Sequence, residues 1–174
     1  MTTIRLTTWV NAPVERCFLL ATSRDFSSSS HANGAHHTAQ GSLSLGDRVD
    51  FKIGNRSYVS QVDAIRPYNY FREVMFAGIF QHYEHEHHFA RMDDGTRVRD
   101  EIRFTTRHGP VGRIFEMTLL RAALGKMLVS RNAELKRLAE SSEWKRFVNT
   151  PESIHETITV NEPQKRMSNM QRFA

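Results

Sequence analysis

Two long runs of alternating residues, 80 to 92 and 96 to 107, stand on either side of Asp94-Gly95, and this arrangement constrains the chain more than any other feature. Asp-Gly supplies the positive backbone angles that a two-residue hairpin turn demands, so the runs are expected to pair as antiparallel neighbours. With the turn at 94 and 95, paired residue numbers sum to 189, which places Phe89 opposite Asp100, His87 opposite Ile102 and His85 opposite Phe104. Tyr83, His85, His87, Phe89, Val98, Asp100, Ile102 and Phe104 then share one sheet face, while Glu84, Glu86, His88, Arg97, Arg99, Glu101 and Arg103 share the other. One side of this hairpin is buried and the other is wet.

Four more strand-like runs, 36 to 44, 47 to 54, 57 to 66 and 69 to 77, come before it, punctuated by Leu45-Gly46-Asp47, Gly54-Asn55 and Pro67. Residues 3 to 11 alternate as well, with Ile4, Leu6 and Thr8 on one face and Arg5, Thr7 and Trp9 on the other. Ala12-Pro13 then opens a helix: Ala12 is expected as its cap and Pro13 as its first position, and Val14, Cys17, Phe18 and Ala21 recur at helical spacing to about Thr22. Residues 23 to 34, rich in Ser, Asn and Asp, read as a loop or one broken helical turn. After Gly112 the longest periodic segment runs from Arg113 to about Ser141, with Met117, Leu120, Leu124, Leu128, Leu135 and Leu138 as its apolar stripe. The sheet and this helix must cover each other. Residues 142 to 174 are polar and without clear period, and read as a partly mobile tail or arm on a single domain of residues 1 to 141.

Composition narrows the function classes. The 174 residues hold 24 Lys and Arg against 19 Asp and Glu, a net charge of +5, with nine His and one Cys. The basic residues are scattered, and no Lys/Arg run, RNA-binding aromatic signature or Cys/His finger appears, so nucleic acid is not an expected partner. A lone Cys17 forms no internal disulfide and reads as a small buried hydrophobe in a reducing compartment. No apolar run reaches the roughly 20 residues of a membrane helix and the first residues do not read as a signal peptide, so a cytoplasmic location is expected.

Ala12-Pro13-Val14-Glu15-Arg16-Cys17-Phe18, the Leu45-Gly46-Asp47 turn, His85-Glu86-His87-His88-Phe89, Gly95-Thr96-Arg97-Val98-Arg99-Asp100 and Arg131-Asn132-Ala133-Glu134-Leu135-Lys136 follow one another in an order that resembles the START-like, or SRPBCC, helix-grip superfamily over residues 3 to about 141. Its members include START lipid-binding domains, birch-pollen-allergen-like proteins and polyketide cyclases. The resemblance implies an α+β fold: a curved antiparallel sheet of seven strands around a long C-terminal helix, short helices after the first strand, and an apolar cavity between sheet and helix.

Several polar side chains fall on faces where a plain core has none. His85 and His87 alternate with Phe89 on the buried face, and two histidines two apart on a strand can share a metal ion. A zinc site needs a third and fourth ligand that no Cys pair or HExxH word supplies, so neither metal nor cofactor is expected. Asp100 shares the face, diagonal to His87 in the register above, and Arg131 falls within about 40° of the centre of the helix stripe, in reach of Asp100 or of a ligand carboxylate in a bidentate fork. A structural ion pair pinning helix to sheet and a polar anchor inside a pocket both remain open. Tyr83, Phe89, Phe104, Met117 and Leu124 are expected to line that pocket, and the loop 27 to 37, with His31, His36 and His37, is a candidate lid. The leading functional expectation is binding of a small hydrophobic, lipid-like or aromatic molecule, as carrier or sensor, with His85, His87, Asp100 and Arg131 at its polar end. The alternative is a cyclase or dehydratase in which His87 or His85 acts as general base, Asp100 fixes its tautomer and Arg131 or Tyr83 steadies an enolate oxygen. A third class is an interaction module docking through Trp144, Phe147 and the tail, and a homodimer is a candidate assembly.

Overall fold

The computed structural model describes residues 1–29, 41–53, 56–106 and 110–148. Six strands form one antiparallel sheet: β1 (Thr2–Val10), β2 (Arg48–Ile53), β3 (Arg56–Arg66), β4 (Tyr70–Ala77), β5 (Phe80–Met92) and β6 (Gly95–Thr106), in the spatial order β1-β6-β5-β4-β3-β2. Helices α1 (Val14–Thr22) and α2 (Arg24–Ser29) follow β1, and the 30-residue α3 (Pro110–Ala139) follows β6. Among the described residues the sheet has six strands, not the expected seven. Of the expected strand 36 to 44, residues 36 to 40 lie outside the described residues, and Ser42 makes only an isolated bridge to Ser23.

Local chemistry accounts for most element boundaries. Pro13, at φ −58° and ψ 146°, caps α1, and its carbonyl accepts from the Cys17 amide at 3.1 Å. The cap therefore falls one residue later than expected, because proline's fixed φ leaves it free to keep an extended ψ. Residues 24 to 29, expected as a loop or broken turn, form α2. After α3, Glu143–Arg146 makes a 3₁₀ turn, and Trp144, Phe147 and Val148 are partly buried against the apolar cluster around Phe18 and Leu135, while residues 149 to 174 of the expected tail lie outside the described residues. Among the described residues no helix is long and apolar enough to cross a membrane.

The central hairpin pairs in a different register from the expected one. Met92 faces Gly95, so the turn residues are Asp93 and Asp94 and paired numbers sum to 187. Neither aspartate takes a positive φ, whereas Gly95 has φ +151°. A Cβ at Gly95 would lie 2.3 Å from the Val10 carbonyl oxygen, so this glycine serves the close crossing of β1 as well as the bend of the chain. The two-residue displacement leaves every side chain on its expected face, since strand period is two.

The wet face carries an ion-pair ladder across five strands. Arg5 holds Glu101 in a two-bond fork at 2.9 and 3.0 Å, Arg99 and Arg103 reach the same carboxylate at 2.7 and 2.9 Å, Arg103 continues to Glu86 at 2.9 Å, and Arg72 joins Glu84 to Asp63. These partners hold the Glu101 carboxyl well below the usual carboxylate range, the Arg5 hydrogen bonds first among them. Four arginines here meet four carboxylates, so the ladder is neutral and the basic surplus lies elsewhere.

Two glycines give opposite expectations in one assay. Gly95→Ala meets both the positive φ and the Val10 carbonyl, and is expected to cost roughly 1–3 kcal/mol, a fall in Tm of several degrees at about 2–4 °C per kcal/mol. Gly125→Ala, in the α3 interior with nothing within 4 Å of the added carbon, is expected to raise stability by about 0.5–1 kcal/mol. Thermal melts of the two variants beside wild type check both signs.

Candidate functional site

Besides a small apolar cluster of Leu43, Val49 and Val62, the buried interior holds two large ones with a polar layer between them. One cluster gathers Val10, Phe18, Phe71, Phe89, Val98, Leu135 and their neighbours, and the other gathers Phe51, Tyr58, Phe80, Tyr83, Ile102, Phe104, Leu124 and Leu128. Each crossing element contributes apolar residues to both and a polar one at the boundary. On β6, Asp100 lies between Val98 and Ile102; on β5, His85 and His87 lie between Tyr83 and Phe89; on β4, Glu73 lies between Phe71 and Met75; on α3, Arg131 and Asn132 lie between Leu128 and Leu135. The strand period of two and the helical turn make this possible, because a single substitution of polar for apolar on each inward face places all of them at one level.

Asp100 is the centre of the layer and is fully buried. His87 stands directly across the β5–β6 ladder, with Nδ1 2.6 Å from Asp100 Oδ1, and Asn132 donates from Nδ2 to Oδ2 at 2.6 Å. Asn132 also donates to the Thr8 hydroxyl of β1 at 3.2 Å. His85 Nε2 lies 3.3 Å from Oδ1 without hydrogen-bond alignment. On the far side of His87, Nε2 is 3.7 Å from Glu73 Oε1, too long for a hydrogen bond, while Ser60 of β3 donates to Glu73 Oε2 at 2.6 Å. His85 Nε2, His87 Nε2 and Asn132 Oδ1 are buried atoms left without a hydrogen-bond partner. Phe71 stacks on the His87 ring at 4.0 Å and fixes its plane.

Arg131 does not make the expected bidentate fork with Asp100. One guanidinium nitrogen is 4.0 Å from Asp100 Oδ1 and 3.4 Å from His87 Nδ1, the other donates to the Ala21 carbonyl of α1 at 3.2 Å, and the group lies 5.4 Å from the centre of the Phe26 ring. The short helices α1 and α2 hold this cation in place, and the direct helix-to-sheet bond to Asp100 comes from the neighbouring Asn132.

Electrostatics follow from burial and company. Burial pushes the Asp100 carboxyl up, but His85 and His87 beside it prevail and hold it well below its ordinary value. Glu73 behaves alike: burial raises it, and His87, His85 and the Ser60 hydroxyl bring it below the usual carboxylate range. Burial, reinforced by His87, pushes His85 down to about 4, so its imidazole is neutral near pH 7. Burial raises Tyr83 well above its ordinary value, so it stays a phenol.

Of the residues singled out in the sequence, His85, His87, Asp100 and Arg131 come together. Phe89 lies in the apolar cluster on one side of them, and Tyr83, Phe104 and Leu124 in the cluster on the other. The Met117 side chain and the candidate lid residues His31, His36 and His37 lie outside the described residues. Glu73, Ser60 and Asn132 were missed, although each had a signal: Phe71, Glu73 and Met75 alternate on one strand face, as do Tyr58, Ser60 and Val62, and Asn132 follows Leu124 and Leu128 at four-residue spacing. Two surface clefts, of about 600 and 260 Å³, lie instead at the β5–β6 turn, lined by Asn11, Met92, Asp94 and Gly95 among others, and no residue of the polar layer borders them.

No family model matches the chain, and no curated protein matches it in sequence. Solved structures do. A START superfamily protein from Mycobacterium smegmatis is 13% identical with a TM-score of 0.59 over 79% of this chain and 97% of that one. The Zhui aromatase/cyclase from Streptomyces sp. R1128 is 16% identical with a TM-score of 0.60 over 81% and 97%, and the Aha1 dimer from Colwellia psychrerythraea is 17% identical with a TM-score of 0.58 over 80% and 97%. The fold is therefore the START-like helix-grip fold: a curved antiparallel sheet gripping one long helix.

Loss of the central carboxylate is expected to be costly. Asp100→Ala leaves His87 without its acceptor, Asn132 with Thr8 alone and Arg131 without a nearby carboxylate, and should destabilise by about 3–5 kcal/mol, and Asn132→Ala by about 1–3 kcal/mol. Because both remove the same hydrogen bond, the double variant should cost less than the sum, with a coupling of roughly 0.5–3 kcal/mol. Urea denaturation of the four proteins measures it.

Proposed function

We propose that the protein binds a small hydrophobic molecule between the sheet and α3, as carrier or sensor, with its polar end at the layer formed by Glu73, His85, His87, Asp100 and Arg131. The observation that carries this reading is that His85 Nε2 and His87 Nε2 are buried without partners between two apolar clusters. Native interiors seldom leave such atoms unsatisfied, and a bound polar group is one of the few things that satisfies them. Tyr83, Phe104 and Leu124 supply the apolar side, and flat aromatic faces suit a planar or lipid-like body. Compounds of the kinds bound by START proteins or by aromatase/cyclases are the first to test, since structures bearing those names share the fold.

One observation favours a second reading. An imidazole oriented by a carboxylate on Nδ1 and left free on Nε2 is the arrangement of a general base, and His87 has it. In a cyclase or dehydratase, Nε2 of His87 would take the proton from an acidic carbon while the Arg131 guanidinium stabilises the developing oxyanion. The binding unit in either reading is residues 1 to 141 with the segment to Val148 packed upon it. A homodimer is checked by the mass in solution.

Native mass spectrometry of the purified chain followed by organic extraction is expected to release one small apolar compound per chain. Arg131→Met should weaken its rebinding at least tenfold. A chain that carries no compound and binds no apolar fluorescent probe sinks the reading. Incubating the extracted compound with wild type and with His87→Ala separates carrier from enzyme: recovery unchanged from both supports the carrier, and conversion by wild type alone supports the cyclase.

A further inference from the structure

The geometry points to a binding site for one divalent first-row transition metal ion, of which zinc is the type, held by His85 Nε2, His87 Nδ1 and Asp100 Oδ1. Scarcity of a third ligand was the sequence argument against a metal, and the observed register removes it by bringing Asp100 directly opposite His87. One ligand atom from each of these three residues lies within 4.8 Å of those of the other two. In a tetrahedral site with ligands about 2.0–2.1 Å from the ion, ligand atoms stand about 3.3 Å apart. His85 Nε2 and Asp100 Oδ1 are already at 3.3 Å, while His87 Nδ1 must withdraw from its 2.6 Å contact with Asp100 by about 0.7 Å and from the Arg131 nitrogen 3.4 Å away.

A second, independent observation is the state of the surrounding atoms. His85 Nε2 is buried and unpartnered, which is the condition of a ligand atom awaiting an ion. A histidine bound through Nδ1 ordinarily donates its other ring N–H to a carboxylate, and His87 Nε2 faces Glu73 Oε1 at 3.7 Å, with Glu73 itself anchored by Ser60. A ligating carboxylate is ordinarily hydrogen-bonded through its second oxygen, and Asn132 occupies Asp100 Oδ2. Two imidazoles and one carboxylate select zinc, iron, cobalt, nickel or copper over magnesium or calcium, which prefer oxygen throughout. Arg131 is the opposing charge, 4.0 Å from Asp100 Oδ1. Ligation requires both imidazoles unprotonated at the bound nitrogens, so two carboxylates, one guanidinium and one dication leave the loaded layer with one net positive charge. An anionic group in the fourth coordination position then balances the site, and Arg131 is placed to contact that group. The inference concerns the same layer as the proposed function but is tested with metal alone, so failure of either leaves the other standing. With the ion bound, His85 Nε2 is taken by the metal and His87 Nε2 turns to Glu73, so a carried molecule would meet the open coordination position and Arg131 in place of the two ring nitrogens; the general-base reading, which needs His87 Nδ1 for Asp100, is excluded.

The test uses the full chain stripped with a chelator and dialysed against micromolar Co²⁺ or Zn²⁺, with bound metal measured by mass spectrometry and Co²⁺ also by its visible absorption. One ion per chain is expected, with the intense bands of four-coordinate cobalt, and Glu73→Gln should weaken it about 10- to 100-fold. His31→Gln/His36→Gln/His37→Gln, which keeps all three proposed ligands, should retain the ion, and His85→Gln should lose it. Absence of bound metal in wild type overturns the proposal whatever the variants do. So does loss of the ion in the triple variant, which assigns the binding to the 31 to 37 segment, and so does its retention in folded His85→Gln.

Discussion

A carboxylate that must stay charged away from water is the constraint around which this interior is arranged. Asp100 sits on β6, between its hairpin partner β5 and the N-terminal strand β1, with its side chain fully buried. Burial of such a group costs several kcal/mol unless every lone pair finds a donor. The fold answers by drawing a donor from each element within reach: an imidazole from β5 and an amide from α3, with a guanidinium near by that is itself held by α1 and α2. The long helix is thereby fixed to the sheet in rotation and in translation, which apolar packing alone does loosely. Polar interiors of this kind rigidify when fully satisfied and are strained when partly so, and the orphaned histidine nitrogens mark where satisfaction stops.

The layer also separates the two ends of the molecule. Toward α1 the interior is made of edge-on contacts of Phe18 with Tyr68, Phe71 and Phe89, the last two stacked on each other, with Trp144 and Phe147 packed against them. Toward the β2–β3 side it is made of Phe51, Tyr58, Tyr83 and Phe80, stacked or tilted at 5.3–5.6 Å, with Leu124 and Leu128 above them. A molecule lodged on the second side meets flat rings along its body and fixed charges at one end, so orientation is set by polarity and position by shape.

Much of this was legible because periodicity is a direct readout of which way a side chain points. The inward placement of His85, His87 and Asp100, the long helix with Arg131 on its inner side and the charged outer face of the hairpin all follow from counting by two or by 3.6. What counting does not convey is alignment between elements. Asp100 looked diagonal to His87 because the turn was set on Asp94-Gly95, and glycine's service to a passing carbonyl cannot be seen from turn chemistry alone. Arg131 looked like the partner of Asp100 because charge pairs with charge, whereas at the interface the shorter Asn132 fits the distance and the longer arginine reaches past to α1. Glu73 stands opposite His85 in a regular β4–β5 pairing, but Ser60 reaches it across a β3–β4 pairing with two register irregularities, which no local pattern records.

The two-residue displacement of the hairpin has a consequence for folding. Registers that differ by two put the same apolar residues on the same face, so hydrophobic burial scarcely discriminates between them. Shifted by one pair, Asp100 would face Phe89 instead of His87, and a bare charge would lie against an aromatic ring. The energetic gap between the native hairpin and its nearest competitor therefore resides mainly in polar groups: the acid and imidazole inside, the arginine forks outside and the glycine at the crossing. In landscape terms the apolar residues make the funnel and these few polar ones choose its floor. A site built for a ligand and a key that sets strand alignment are here the same atoms.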